Sequence, residues 1–100
     1  MVSYTLDNGE TLHAQAPDTF YLPPGEMRAG LNVGDFAKLV FRITHEAGEN
    51  VERMWVIVQA RQGAGYLGTL DNQPYCTQAL APGLQVAFGP EHVIQSLRGD

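Results

Sequence analysis

The segment from Gly63 to Gly68 matches the dinucleotide-binding fingerprint G-x-G-x-x-G letter for letter. In proteins that bind such cofactors, the last glycine opens a helix whose N-terminus holds the pyrophosphate. The residues from Tyr66 to Leu70 instead alternate as a strand does. Because the fingerprint needs that helix, the segment predicts a hairpin turn, and we expect no nucleotide cofactor.

Cys76 could act as a nucleophile if the fold brought His45 or His92 within hydrogen-bond distance. No local pattern favours this, and a free cysteine is among the residues most often buried as a small apolar side chain. The three histidines, of which His13 is the first, are more than thirty residues apart, so they lack the spacing that seeds a zinc site. We therefore predict no catalytic residue, no metal site and no cofactor.

The charge balance narrows the classes of partner. Among 100 residues there are eleven acidic and six basic ones, which gives a formal net charge of −5, and Lys38 is the single lysine. Phosphate binding is driven by clustered lysine and arginine, so nucleic acid is excluded as a partner. The single cysteine is typical of a reducing compartment. With neither a secretory leader nor an apolar membrane span in evidence, we expect a cytoplasmic protein that has no membrane partner.

Turn residues divide the chain into a less regular N-terminal arm, residues 1–18, and a single β-rich domain, residues 19–100. Within the arm, the segment from Thr11 to Ala16 is interpreted as a short strand. Pro24 is followed by a segment of one or two helical turns that Gly30 is placed to end.

Apolar residues at a spacing of two predict the strands. The first begins at Phe36, and the segment Glu52 to Arg61 forms a hairpin with Tyr66 to Leu70. Between the first two strands, the polar residues 44–50 predict a loop. Another strand runs from Leu84 to Phe88, and residues 93–97 are interpreted as a helical tail.

Together these elements predict a mostly β (α+β) fold. We expect a small twisted antiparallel sheet that curls into a partly open barrel, with one or two short helical segments.

The strand from Glu52 places Arg53 and Trp55 on the face opposite Met54, Val56 and Val58. Tryptophan and arginine contribute a large share of the binding energy where one protein recognises another. A lone tryptophan in a domain of this size also serves as a core anchor, which Arg53 could cover by stacking. The sequence leaves both interpretations of Trp55 open.

Five phrases over residues 19–97 resemble a YegJ-like bacterial domain of unknown function, the family numbered 2314. The phrases are Thr19-Phe20-x-Leu22-Pro23, Gly34-Asp35-x-Ala37-Lys38-Leu39-Val40-Phe41, Glu52-Arg53-Met54-Trp55-Val56, Gly68-x-Leu70-x-Asn72-x-Pro74 and Gly83-x-x-Val86-x-Phe88-x-x-x-His92-Val93. Leu84 departs from the family phrase, in which an aspartate follows the glycine. The resemblance implies a bacterial domain with no established activity, and it singles out polar or aromatic positions at Lys38, Glu52, Arg53, Trp55, Asn72 and His92.

We therefore predict a non-enzymatic interaction module that binds another protein through the surface near Arg53, Trp55 and the turn from Asp71 to Pro74. One version is an immunity-type protein whose acidic charge steers it onto a basic target. The alternative is a small ligand-binding domain or enzyme with a polar pocket around Lys38, Asn72 and His92. The candidate binding residues are Lys38, Glu52, Arg53, Trp55, Asp71, Asn72 and His92, and the oligomeric state stays open.

Overall fold

The computed structural model describes residues 1–99, which form one antiparallel sheet, two short helices and a 3₁₀ turn that both helices contact. In chain order the elements are β1 (Ser3–Leu6), α1 (Gly9–Gln15), α2 (Gly25–Ala29), β2 (Phe36–His45), β3 (Gly48–Gln62), β4 (Gly65–Leu70), β5 (Gln85–Phe88), a 3₁₀ turn (Pro90–His92) and β6 (Gln95–Leu97). The strand order is β1-β2-β3-β4-β5, and β6 pairs with the start of β2 on the edge that β1 occupies further along. The sheet curls into a half-barrel, so the predicted fold class is confirmed.

The long hairpin of β2 and β3 is the centre of the fold. Its register runs without a break from the pair Phe36 and Ile57 to the pair His45 and Gly48. The apolar side chains that recur at every second residue of the strands lie on the concave face of the sheet, and their burial on one face is as predicted. The core on that face consists of Leu31, Ala37, Leu39, Phe41, Ile43, Met54, Val56, Val58, Tyr66, Leu70, Leu80, Val86, Phe88 and Val93.

The N-terminal residues are more regular than the predicted arm. β1 pairs with the second half of β2, and the Tyr4 ring packs 5.3 Å from the ring of Phe41. The predicted strand from Thr11 to Ala16 is wrong, because this segment lies mostly within α1. The Asn8 side chain accepts hydrogen bonds from two main-chain N–H groups of the first turn of α1, which starts the helix. Residues 1–18 therefore contribute one strand to the sheet and the helix α1.

Two further predictions are wrong in extent. Of the polar segment 44–50, only residues 46–47 form a turn, because β2 extends to His45 and β3 begins at Gly48. The polar residues on either side of the turn pair with one another through their main chains and therefore belong to the strands. Gly48 has a φ of +128°, a conformation that glycine adopts readily and that the tight turn requires. The tail is not helical from residue 93 to 97: the 3₁₀ turn ends at His92, and β6 then pairs with β2.

Two other local predictions are confirmed, namely the short helix after Pro24 and the turn at the glycine segment. α2 starts after Pro24 and ends at Gly30. The fingerprint-like glycine segment forms the β3–β4 turn and the start of β4. Within residues 1–99, no helix is long and apolar enough to cross a membrane.

Candidate functional site

A loop of residues 71–80, here called the anchored loop, lies against the edge of β3 and is held there by motif residues. The Glu52 carboxylate accepts the main-chain N–H groups of Tyr75 (2.9 Å) and Cys76 (3.0 Å). The Asn72 side-chain oxygen accepts the N–H of Trp55 at 2.6 Å, and the Trp55 carbonyl accepts the N–H of Asp71 at 2.9 Å. Two side chains predicted as binding residues therefore position the loop through their own hydrogen bonds.

Gln73 braces the same loop from within. Its side-chain amide donates to the carbonyl oxygens of Thr77 and Leu80, both at 3.0 Å. Pro74 is buried, whereas Tyr75 directly after it is fully exposed. The loop thus holds an exposed aromatic side chain on a backbone fixed at several points.

Between β3 and the anchored loop lies a shallow cleft with a volume of about 270 Å³. Trp55 forms part of its wall and is half-buried, so it is neither a core residue nor a free surface residue. The cleft is lined by Lys38, Glu52, Arg53, Met54, Trp55, Asn72, Gln73 and Tyr75.

Both cations of the cleft lie near aromatic rings. Lys38 Nζ is 5.4 Å from the centroid of the Trp55 ring, and the guanidinium of Arg53 is 5.3 Å from the centroid of Phe20. Within residues 1–99, no carboxylate lies within ion-pair distance of Lys38 or Arg53, whereas Arg28 and Arg42 both have one. The cleft therefore presents two cations that internal ion pairs do not use.

The Glu52 carboxylate and the Cys76 thiol are neighbours with opposite pKa shifts. Burial alone would raise the pKa of Glu52, but the hydrogen bonds from Tyr75 and Cys76 outweigh it and the net shift is downward. Burial raises the pKa of the Cys76 thiol, and the adjacent Glu52 carboxylate raises it further. Cys76 is therefore a protonated thiol at neutral pH, which is the opposite of what an activated nucleophile requires.

The lowered pKa of Glu52 predicts a pH dependence of stability. Because its ordinary value is 4.5 and the folded value is lower, the ionised carboxylate stabilises the fold above pH 4.5, and this contribution disappears as the pH falls through the folded value. We expect Glu52→Gln to cost about 1–2 kcal/mol at pH 7, since the charge-assisted bonds to the loop are weakened. The difference in free energy of unfolding from wild type should shrink toward pH 3, measured by urea titration.

Glu46→Gln is the matched control, because Glu46 lies exposed in the β2–β3 turn and its carboxylate accepts no hydrogen bond within residues 1–99. A constant difference between Glu52→Gln and wild type from pH 7 to pH 3 would contradict the anchoring role of the carboxylate.

The remaining predicted site residues lie apart or contribute main-chain groups. Asp71 is exposed at the start of the anchored loop, where its N–H bonds to Trp55. His92 does not line the cleft, and its Nδ1 accepts the N–H of Gly89 at 2.9 Å within the 3₁₀ turn. Lys38 and Asn72 therefore meet in one cleft without His92, so the structure does not assemble the polar pocket of the alternative prediction.

Three residues of this region were not among the candidate binding residues: Phe20, Tyr75 and Gln73, of which Gln73 entered only as part of the turn from Asp71 to Pro74. Phe20 approaches Arg53 from a segment more than thirty residues earlier in the chain, so no local pattern connects the two. Tyr75 carried a usable signal, because a large aromatic residue directly after a turn proline interrupts an otherwise polar segment.

Within residues 1–99, no three histidine, cysteine, aspartate or glutamate side chains are grouped so that they could hold a metal ion. Comparison of the chain with family models, with curated proteins and with solved structures found no match.

Proposed function

We propose that this chain is a non-enzymatic module that binds a protein partner through the cleft between β3 and the anchored loop. The observation that carries the proposal is that the fully exposed Tyr75 and the half-buried Trp55 line the same cleft. Tyr75 lies on the anchored loop, which the Glu52 carboxylate holds in place, and Trp55 lies on β3. Tyrosine, tryptophan and arginine are the residues that contribute most to binding when a partner excludes water from them. A preorganised backbone also lowers the entropy lost on binding.

The residues of the cleft support binding rather than catalysis. Asn72 and Glu52 use their polar atoms to hold the loop, and the Cys76 thiol is protonated at neutral pH. The cleft presents to a partner the exposed Tyr75, the half-buried Trp55, and the cations Lys38 and Arg53. Such a set recognises a partner by contact and charge.

Membership of the YegJ-like family and a cytoplasmic location remain part of this proposal, supported by the motif phrases and the single cysteine. The immunity-type version assumed a basic target because the whole chain is acidic. The cleft itself is lined by two cations and one engaged carboxylate, so we propose an acidic partner segment there instead.

Selection of a displayed random peptide library on the immobilised full chain tests the proposal. We expect enriched peptides to bind Tyr75→Ala at least tenfold more weakly than wild type, because truncation of a central aromatic residue costs about 2 kcal/mol or more. Trp55→Ala should weaken binding similarly, with the melting temperature measured in parallel because Trp55 is half-buried.

Tyr21→Ala is the matched control, since Tyr21 is exposed but does not line the cleft. The proposal fails if no peptide is enriched on wild type, or if the enriched peptides bind Tyr75→Ala and Tyr21→Ala equally well.

A further inference from the structure

β3 is much longer than the strand that pairs with its second half. β3 runs from Gly48 to Gln62, whereas its pairing with β4 begins only at Val56. Trp55, just before this point, is bonded to the anchored loop. Within residues 1–99, no strand pairs with residues 49–53 on that side of β3. We call residues 49–53 the open edge.

The directions of the N–H and C=O groups along the open edge can be deduced from the hydrogen bonds of Trp55 and Val58, which lie further along β3. The N–H and C=O of Trp55 both point toward the anchored loop, whereas those of Val58 bond to residues preceding β2. Main-chain groups alternate sides along a strand, and the β2–β3 register is continuous through this stretch. The N–H and C=O of Val51 and Arg53 therefore point away from β2, toward the side where no strand lies.

Three of the five residues of the open edge are charged, and the anchored loop approaches it through the Glu52 side chain, but within residues 1–99 the main-chain groups of Val51 and Arg53 that face away from β2 have no partner. The open edge carries no proline and no lysine, and the β3 irregularity lies beyond it, between Val58 and Ala60. The Val51 residue is 49% exposed. Four exposed residues and the half-buried Glu52 thus present two unpaired donor and acceptor sets beside the cleft.

Charge indicates what kind of segment fits. A strand added beside β3 would place its outward side chains next to those of Glu49, Val51 and Arg53, with Lys38 on the same face one strand further away. The Glu49 carboxylate is already paired with Arg42, which leaves Arg53 and Lys38 as the cations of this face without an ion-pair partner in residues 1–99. Acidic side chains in the added strand would supply the missing partners.

We propose that the partner of this module contributes an extended acidic segment that pairs as an additional strand with the open edge of β3, through the main-chain groups of Val51 and Arg53. Addition of a strand to an exposed sheet edge is a recurring mode of peptide recognition, in which main-chain bonds give affinity and alternate side chains give specificity. This inference rests on the proposed function and specifies how its cleft is used.

A titration with a defined peptide tests the pairing. The probe is the acetylated and amidated peptide Thr-Glu-Thr-Val-Thr-Glu-Thr, and its counterpart with lysine in place of glutamate is the charge control. With the ¹⁵N-labelled full chain, we expect the acidic peptide to shift the amide resonances of Val51 and Arg53 saturably. The lysine peptide should bind at least tenfold more weakly.

Val51→Pro removes the N–H that the added strand would use. Because this N–H has no acceptor in residues 1–99, the variant should keep a melting temperature close to that of wild type and lose peptide binding at least tenfold. Asn50→Pro is the contrasting variant: the N–H of Asn50 points toward its partner Ile43 in β2, so this change should lower the melting temperature strongly.

In the peptide titrations, the inference is overturned by the absence of a saturable shift at Val51 and Arg53, by equal binding of the lysine peptide, or by wild-type peptide binding to a folded Val51→Pro variant. A dimer of the full chain that Val51→Pro dissociates would also overturn it, because a second copy of the chain would then occupy the edge. If peptides from the library depend on Tyr75 but not on the N–H of Val51, side-chain docking in the cleft survives and strand addition fails. The two proposals are therefore separable.

Discussion

Replacement of Arg28 by methionine is expected to lower the free energy of unfolding by about 3 kcal/mol. The Arg28 side chain is only 8% exposed. Its Nε donates to the carbonyl of Pro23 at 2.8 Å, and its Nη1 donates to the carbonyl of Pro90 at 2.9 Å and to the Glu10 carboxylate at 2.8 Å. Methionine keeps most of the apolar stem but leaves the two carbonyls without this donor.

A loss of this size should be visible in both urea and thermal unfolding. For a domain of 100 residues it corresponds to a fall in melting temperature of about 15 °C. Three separate stretches of the chain meet at the guanidinium, so we expect the transition to remain cooperative but to occur earlier.

Glu10→Gln separates the carbonyl bonds from the ion pair. The Glu10 side chain is 53% exposed, so solvent screens its charge, and this variant should lose less than about 1 kcal/mol. Equal losses for Glu10→Gln and Arg28→Met would show that the ion pair matters and the carbonyl bonds do not, contrary to expectation.

The second large effect is expected for Tyr66→Phe, at about 2–3 kcal/mol. The Tyr66 hydroxyl donates to the carbonyl of Arg28 at 2.6 Å and accepts the N–H of Leu31 at 3.2 Å. Its ring is fully buried and stacks on Phe88 at a centroid distance of 5.1 Å. Phenylalanine preserves the stacking but removes the hydroxyl that joins the end of α2 to β4.

Hydrogen exchange gives this prediction a local readout. The Leu31 amide should exchange markedly faster in Tyr66→Phe, because its acceptor is gone. Tyr4→Phe is the control: the half-buried Tyr4 packs on Phe41, and its hydroxyl makes no hydrogen bond within residues 1–99, so its removal should change stability little. A loss for Tyr4→Phe as large as that for Tyr66→Phe would contradict the argument.

The N-terminal helix shows where a local pattern was misleading. Asp7, Asn8 and Gly9 favour a turn by residue type, and the same Asn8 side chain is also a good helix cap. In the fold, the cap and the salt bridge of Arg28 to Glu10 support α1 together. The prediction of a turn and a strand used only neighbouring residues, so it could not take into account the contact of Glu10 with Arg28, eighteen residues later.

The candidate site could be located from the sequence only in part. Arg53, Trp55 and the start of the anchored loop were identified from strand alternation and turn chemistry, and they line or adjoin one cleft. The roles within that cleft could not be assigned in advance. Whether a carboxylate such as Glu52 binds a partner or the chain's own N–H groups depends on which loop folds against it, and that loop begins about twenty residues later.

The sequence by itself determined which faces of the strands are buried, where the β3–β4 hairpin turns, and that the fold is a small curled antiparallel sheet. These features follow from side-chain periodicity and turn residues, which act over a few neighbouring positions. Only the tertiary structure decided that Glu52 and Asn72 serve the anchored loop, that His92 lies apart from Lys38, and that the first half of β3 has an open edge. Each of these depends on contacts between segments far apart in the chain, and no local pattern encodes which segments meet.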